Sequence, residues 1–120
     1  MRTLNDLLAG YGRFRLQGNP TRRKTYRALA LEGQSPKIMV VGCCDSRVEP
    51  ATIFDAGPGE LFVARNVANI VPHYTPDRGQ DSTSAAIEFA VTTLCVAHIV
   101  VMGHASCGGI QNHPHVEVCA

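Results

Sequence analysis

Two short apolar runs constrain this chain more than anything else in it. IMVVG at residues 38–42 and HIVVMG at residues 98–103 each close on a glycine, and the next residue is a side chain able to bind a metal, Cys43 in one case and His104 in the other. Runs this short, this apolar and without alternation fit strands buried on both faces, as in a parallel sheet. LFVARNV at residues 61–67, after the turn signal Gly57, Pro58, Gly59, reads as a further strand.

Between the strands the periodicity turns helical. Ala86, Phe89, Ala90, Thr93 and Leu94 share one face of a helix from Ser82 to about Val96, with Ser82 or Ser84 available as its cap, and residues 72–81 read as a surface loop. Upstream, Leu4, Leu7, Leu8, Tyr11 and Phe14 make an amphipathic arm over residues 2–16. Asn19 as N-cap and Pro20 at the first helical position open a second helix, and Gly33 closes it in the place favoured for a left-handed cap. The fold class that follows is α/β: a mainly parallel β-sheet flanked by helices, with an N-terminal helical arm.

A chain of 120 residues makes one domain and can bury a core without disulfide staples. Its net charge of +1 gives no electrostatic reason to expect nucleic acid or a membrane, and Arg22, Arg23 and Lys24 read as a solvated helix face. No apolar stretch approaches the roughly 20 residues of a membrane span. The first fifteen residues mix charges into their apolar positions, so a cytoplasmic location is the expectation. Five cysteines, at 43, 44, 95, 107 and 119, form an odd set that argues against a disulfide framework and for reduced thiols.

The carboxyl edge of a parallel sheet is where ligands bind. There C-x-D-x-R follows one strand and H-x-x-C the other, so Cys43, His104 and Cys107 converge if the strands are neighbours. Taken singly, each has a plainer explanation: a cysteine at a strand end is commonly a small buried hydrophobe. Together, two thiolates and an imidazole suit one Zn²⁺ per chain, and three protein ligands leave a fourth position open, as in catalytic rather than structural zinc. Asp45 and Arg47, two apart in an extended segment, project to the same side and can form a bidentate pair. Beside such a zinc, Asp45 is either a fourth ligand or the acceptor of a hydrogen bond from a bound hydroxide. Cys44 points elsewhere, Cys44 and Cys95 read as structural, and Cys119 as uninformative. Cys43 and Arg47 lack the C-x₅-R spacing of a phosphate-cradling loop, which sets a cysteine phosphatase aside.

At these residues the chain resembles a known family. CCDSRVEP is similar to the C-x-D-S-R-V signature of β-class carbonic anhydrases, and GHASCGG to its G-H-x-x-C-G-G partner; GQSPK, PGELFVARNVANIV and SAAIEFAV extend the resemblance over about residues 1–110. The resemblance implies that Cys43, His104 and Cys107 are zinc ligands and that Asp45 and Arg47 are the catalytic dyad. It also implies that Gln34 binds substrate, that Phe62, Val67 and Phe89 line a small apolar pocket across a dimer interface, and that the Gly108 amide faces the substrate. The implied reaction is reversible hydration of CO₂ to bicarbonate and a proton, in a homodimer or larger assembly with N-terminal arms wrapped over the partner. A regulatory bicarbonate site in some members uses a Trp three residues before the first ligand cysteine, where this chain has Val40. His73 and Tyr74 lie in a polar loop where a surface role outweighs a proton relay.

The family continues with further helices and a strand after H-x-x-C, whereas residues 111–120, QNHPHVEVCA, do not resemble that continuation, and Pro114 opposes a helix there. The expectation is a zinc domain over 1–110 lacking the C-terminal part of the family fold, followed by an atypical tail, with an apolar face or strand edge left uncovered and lowered stability and activity. The alternatives are a zinc-binding remnant without turnover and a hydrolase of a related linear molecule such as carbon disulfide or carbonyl sulfide.

Overall fold

The computed structural model describes residues 2–17, 19–75 and 81–112. The chain forms two compact units, Met1–Gln34 and Ser35–Ala120.

The first unit is a pair of helices, α1 (Leu4–Gln17) and α2 (Pro20–Glu32). Thr3 and Asp6 cap α1 reciprocally: Asp6 N–H donates to Thr3 Oγ1 at 3.3 Å, and the Thr3 amide donates to Asp6 Oδ2 at 2.7 Å. The Thr3 amide and the Thr3 hydroxyl, both donating to Oδ2, hold the Asp6 carboxyl below the usual carboxylate range. Asn19 caps α2 as expected, its side chain accepting from the Thr21 amide at 2.9 Å. Gly33 ends it with φ 82° and ψ −179°, a glycine-favouring conformation but not the left-handed helical one expected, and its amide donates to the Leu29 carbonyl. Phe14 and Tyr26 meet edge to face at 5.3 Å between ring centroids. The stripe Leu4, Leu7, Leu8, Tyr11 and Phe14 on α1 is exposed.

The second unit is built on a parallel sheet ordered β2-β1-β3, with β1 at Ile38–Cys43, β2 at Leu61–Asn66 and β3 at His98–Met102. In register, Cys43 lies beside Asn66, and Gly42 lies between Arg65 and Met102. The short helix α3 (Pro50–Ile53) follows β1, a 3-10 turn (Val67–Asn69) follows β2, α4 (Ser82–Thr92) leads to β3, and α5 (Gly108–Asn112) follows it. β1 is buried from Met39 to Cys43, as its unbroken apolar run requires. Met39 and Val41 pack with Ala90 of α4, and Phe62, Ala64, Ala86, Ile87 and Val96 close around them.

Three expectations need correction. The cap of α4 is Asp81, not Ser82 or Ser84: its carboxylate accepts from the Thr83 and Ser84 amides at 3.0 and 2.9 Å, and a carboxylate there also complements the helix dipole. The helix stops at Thr92 rather than near Val96. The Leu94 and Val96 amides turn back to the Phe89 and Ala90 carbonyls, and Cys95 takes a positive φ of 51° without being glycine. Finally, β3 is not buried. Ile99, Val100 and Val101 are 43, 37 and 53% exposed, because β3 is an edge strand and no described element pairs with its outer side.

Candidate metal centre

β1 and β3 are adjacent and parallel, so their carboxyl ends deliver Cys43 and the His104–Cys107 segment to one place. The ladder outlasts β1 by one bond, Cys44 amide to Asn66 carbonyl at 2.9 Å, and this turns Cys43 inward and leaves Cys44 exposed. After β3 the chain reverses through Ala105 and Ser106, with φ 53° at Ser106, and enters α5 where the Gln111 amide donates to the Cys107 carbonyl at 3.0 Å. Cys43 and Cys107 are each 4% exposed and pack against Ala68 of the 3-10 turn, with Val48 and Ile110 around them.

The ligand atoms of Cys43, His104 and Cys107 all lie within 4.8 Å of one another. The two sulfurs are 3.8 Å apart, within hydrogen-bond reach and not joined in a disulfide. Thiolates about 2.3 Å from a tetrahedral zinc would stand about 3.8 Å apart, the same separation. His104 Nδ1 lies 3.1 Å from the Ala105 carbonyl, which can only accept, so Nδ1 carries the proton and Nε2 the lone pair. Nε2 is buried and has no hydrogen-bond partner among the described residues. An unsatisfied imidazole lone pair beside two thiols is the donor set a divalent zinc fits, and the Ala105 carbonyl is the kind of outer partner that fixes a ligating tautomer.

Burial raises the Cys43 thiol's pKa, but the Asp45 amide, the neighbouring His104, the Ala68 amide and Cys107 outweigh it and bring the thiol down to about 7. Cys43 is thus ready to act as a thiolate near neutrality.

Asp45 and Arg47 do pair. Arg47 Nε donates to Asp45 Oδ1 at 2.9 Å and Nη2 to Oδ2 at 2.8 Å. They meet across a turn, however, and not along an extended segment: Asp45 Oδ1 also accepts the Arg47 amide at 2.9 Å, and the Val48 amide donates to the Asp45 carbonyl at 3.2 Å. The bidentate guanidinium holds the Asp45 carboxyl well below the carboxylate range, and Asp45 raises Arg47 in return. Arg47 Nη2 also donates to the Ser106 carbonyl at 3.3 Å, joining the two ligand-bearing segments.

The other expected positions fall in different places. Val67 lies against α5, where a Cβ on Gly109 would meet Val67 Cγ1 at 2.7 Å, and exposed Gly108 begins that helix. Phe62 and Phe89 stack on each other at 5.7 Å between centroids on the α4 side of the sheet. Phe62 is four residues before Asn66 on β2, roughly 13 Å along the strand from the level of Cys43. Gln34 follows α2 in the first unit and is exposed, as are His73, Tyr74 and Cys95. Cys119 and the tail histidines 113 and 115 lie outside the described residues.

Sequence reasoning missed three contributors. Ala68 takes φ 68° to pack beside both cysteines, Gly109 lets the 3-10 turn approach α5, and Arg65 reaches the segment after β1. The first two left faint signals in RNVAN and in the glycine doublet 108–109; a long-range bond from Arg65 to backbone leaves none.

The family model described as carbonic anhydrase matches residues 38–118. This chain belongs to the β-carbonic anhydrase family. It is 46% identical over 117 residues to mitochondrial β carbonic anhydrase 6 of Arabidopsis thaliana, covering 92% of this chain and 39% of that one. To a carbonic anhydrase of Pseudomonas aeruginosa it is 43% identical over 107 residues, covering 89% and 47%. The solved β-carbonic anhydrase CcaA superposes with a TM-score of 0.81 at 35% identity, covering 90% of this chain and 51% of that one. The chain therefore spans about half the length, or less, of the relatives it matches. The metal of this family is zinc, and Cys43, His104 and Cys107 form a group able to hold it.

Proposed function

We propose that this chain is a zinc-dependent carbonic anhydrase domain, catalysing reversible hydration of CO₂ to bicarbonate and a proton. The observation that carries the reading is His104 Nε2, buried without a partner among the described residues, beside two free thiol sulfurs 3.8 Å apart. Cys43 and Cys107 as thiolates and His104 through Nε2 would hold the ion. Bound zinc supplies Lewis acidity, bringing the ionisation of water down towards about pH 7.

The chain's own residues supply the rest. Asp45 stays ionised across the working pH because Arg47 occupies both its oxygens. It is then an acceptor that orients the attacking group and not a proton donor. The same fork keeps its carboxylate turned to Arg47 and away from service as a fourth ligand. Gln34, Phe62, Val67, Phe89 and the Gly108 amide are assigned to substrate on the family resemblance. The stacking of Phe62 on Phe89 away from the sulfurs suits a pocket completed by a second copy, and the exposed apolar stripe of α1 suits an arm laid on that copy. We treat residues 1–110 as the zinc domain and 111–120 as a tail. No described helix is long and apolar enough to cross a membrane. A cytoplasmic setting, in which thiols remain reduced, suits the free Cys43 and Cys107 pair.

The test is CO₂ hydration by the zinc-loaded chain and by Asp45→Asn with zinc content measured in both. Turnover in the first and loss of turnover at equal zinc in the second support the reading. Bound zinc without turnover in either would leave a metal-binding remnant instead.

A further inference from the structure

We infer that Arg65 is a positioning residue for the metal centre, holding the segment that carries Cys43, Asp45 and Arg47 against the sheet; this rests on the zinc reading above. Arg65 lies next to the end of β2, level with Gly42, so its side chain reaches the carboxyl edge of the sheet. Its guanidinium makes three separate bonds there. Nε donates to the Cys43 carbonyl at 2.8 Å, Nη2 donates to the Asp45 carbonyl at 2.8 Å, and Nη1 pairs with the Glu49 carboxylate. The side chain is 24% exposed, so these bonds are partly shielded from water.

All three acceptors lie between residues 43 and 49, where other support is thin. The last sheet bond is Cys44 amide to Asn66 carbonyl, and beyond it the described backbone bonds before α3 reduce to Val48 to Asp45. Asp45 and Arg47 hold each other, and Arg47 Nη2 reaches the Ser106 carbonyl at 3.3 Å, but among the described residues neither side chain bonds the sheet. His104 and Cys107 arrive on a different strand, so the geometry of the three ligands depends on residues 43–49 keeping their place relative to β3. One planar fork spanning the carbonyls on both sides of Cys44 supplies that placement. A lysine ammonium has no such fork and cannot reproduce it. Residues that orient metal ligands without touching the metal typically change metal affinity about 10–100-fold when removed.

The experiment uses Co²⁺ as probe on the full 120-residue chain, titrated by its thiolate charge-transfer and d–d absorption. The unsubstituted chain is compared with Arg65→Met, Arg65→Lys and Glu49→Gln, alongside the thermal midpoint of each metal-free protein. The expected result is Co²⁺ bound about 10–100-fold more weakly by Arg65→Met with displaced d–d bands. Arg65→Lys should recover part of that loss, and Glu49→Gln should show a smaller loss in the same direction. Unchanged affinity and bands in the folded variants, or a lowered thermal midpoint with the cobalt readouts unmoved, would overturn the proposal. If Arg65→Met does not fold, Arg65→Lys and Glu49→Gln decide on the same readouts. Failure of the unsubstituted chain to bind Co²⁺ overturns the zinc reading and this proposal with it, whereas equal binding by all four overturns this proposal alone.

Discussion

Gly108 and Gly109 are consecutive residues of α5, yet an added methyl meets different surroundings at each. At Gly108 a Cβ would find, among the described residues, only Asn112 Nδ2, at 4.0 Å. At Gly109 it would stand 2.7 Å from Val67 Cγ1 and 3.0 Å from both Ala68 Cβ and the Ala68 amide nitrogen. Val67 can rotate away, but Ala68 is 3% exposed, sits at φ 68° and packs on Cys43 and Cys107, so its backbone has little room to yield. Both replacements gain nearly the same helix propensity, at most about 1 kcal/mol, and it cancels when the two variants are compared. What remains is overpacking at Gly109, about 1–3 kcal/mol. At about 4–8 °C per kcal/mol for a small domain, Gly109→Ala should melt roughly 5–20 °C below Gly108→Ala. Calorimetry or circular-dichroism melts of the metal-free proteins measure this gap. Because Ala68 touches both cysteines, Gly109→Ala should also bind metal more weakly than Gly108→Ala. Coincident melts with equal metal affinity would mean that the approach of the 3-10 turn to α5 is not tight, and the reasoning fails.

Two further outcomes are expected. Metal affinity should weaken as pH falls through about 7: the Cys43 pKa is depressed to about 7 from an ordinary 9.0, so its thiolate survives down to neutrality and protons compete with metal for that sulfur increasingly below it. Co²⁺ titrations at pH 6 and pH 8 check this, and the sign is wrong if affinity is greater at pH 6. Replacing the α4 cap, Asp81→Ala, should cost about 1 kcal/mol in urea unfolding while leaving Co²⁺ affinity unchanged, because among the described residues the cap carboxylate bonds Thr83 and Ser84 and none of the metal-site residues.

Much of this molecule is legible in its sequence where short-range rules govern. β1 follows from an apolar run too uniform to tolerate water on either face, and the Cys43, His104 and Cys107 cluster follows once two strands are taken as parallel neighbours. The Asn19 cap and Pro20 start of α2 are local as well. Competing local chemistry explains the errors at α4, where an acidic residue one position earlier outcompetes two serines for the cap and Cys95 ends the helix without glycine. The turn joining Asp45 to Arg47 is an alternative to extended chain that spacing alone does not distinguish. An uncovered face or strand edge is expected from the sequence, but which strand would carry it was out of reach, since an edge strand's composition does not say what lies beside it. So was Arg65, whose partners are backbone carbonyls 22 and 20 residues away and therefore have no sequence signature.

The central claim is that Cys43, His104 and Cys107 together hold one zinc. X-ray absorption at the zinc edge, with zinc content per chain, tests it on purified protein and on Cys107→Ser. The account predicts one zinc per chain with two sulfur ligands and one imidazole nitrogen, and loss of a sulfur or of the metal in the variant. No bound zinc, or zinc in an environment without sulfur that Cys107→Ser leaves unaltered, would contradict it.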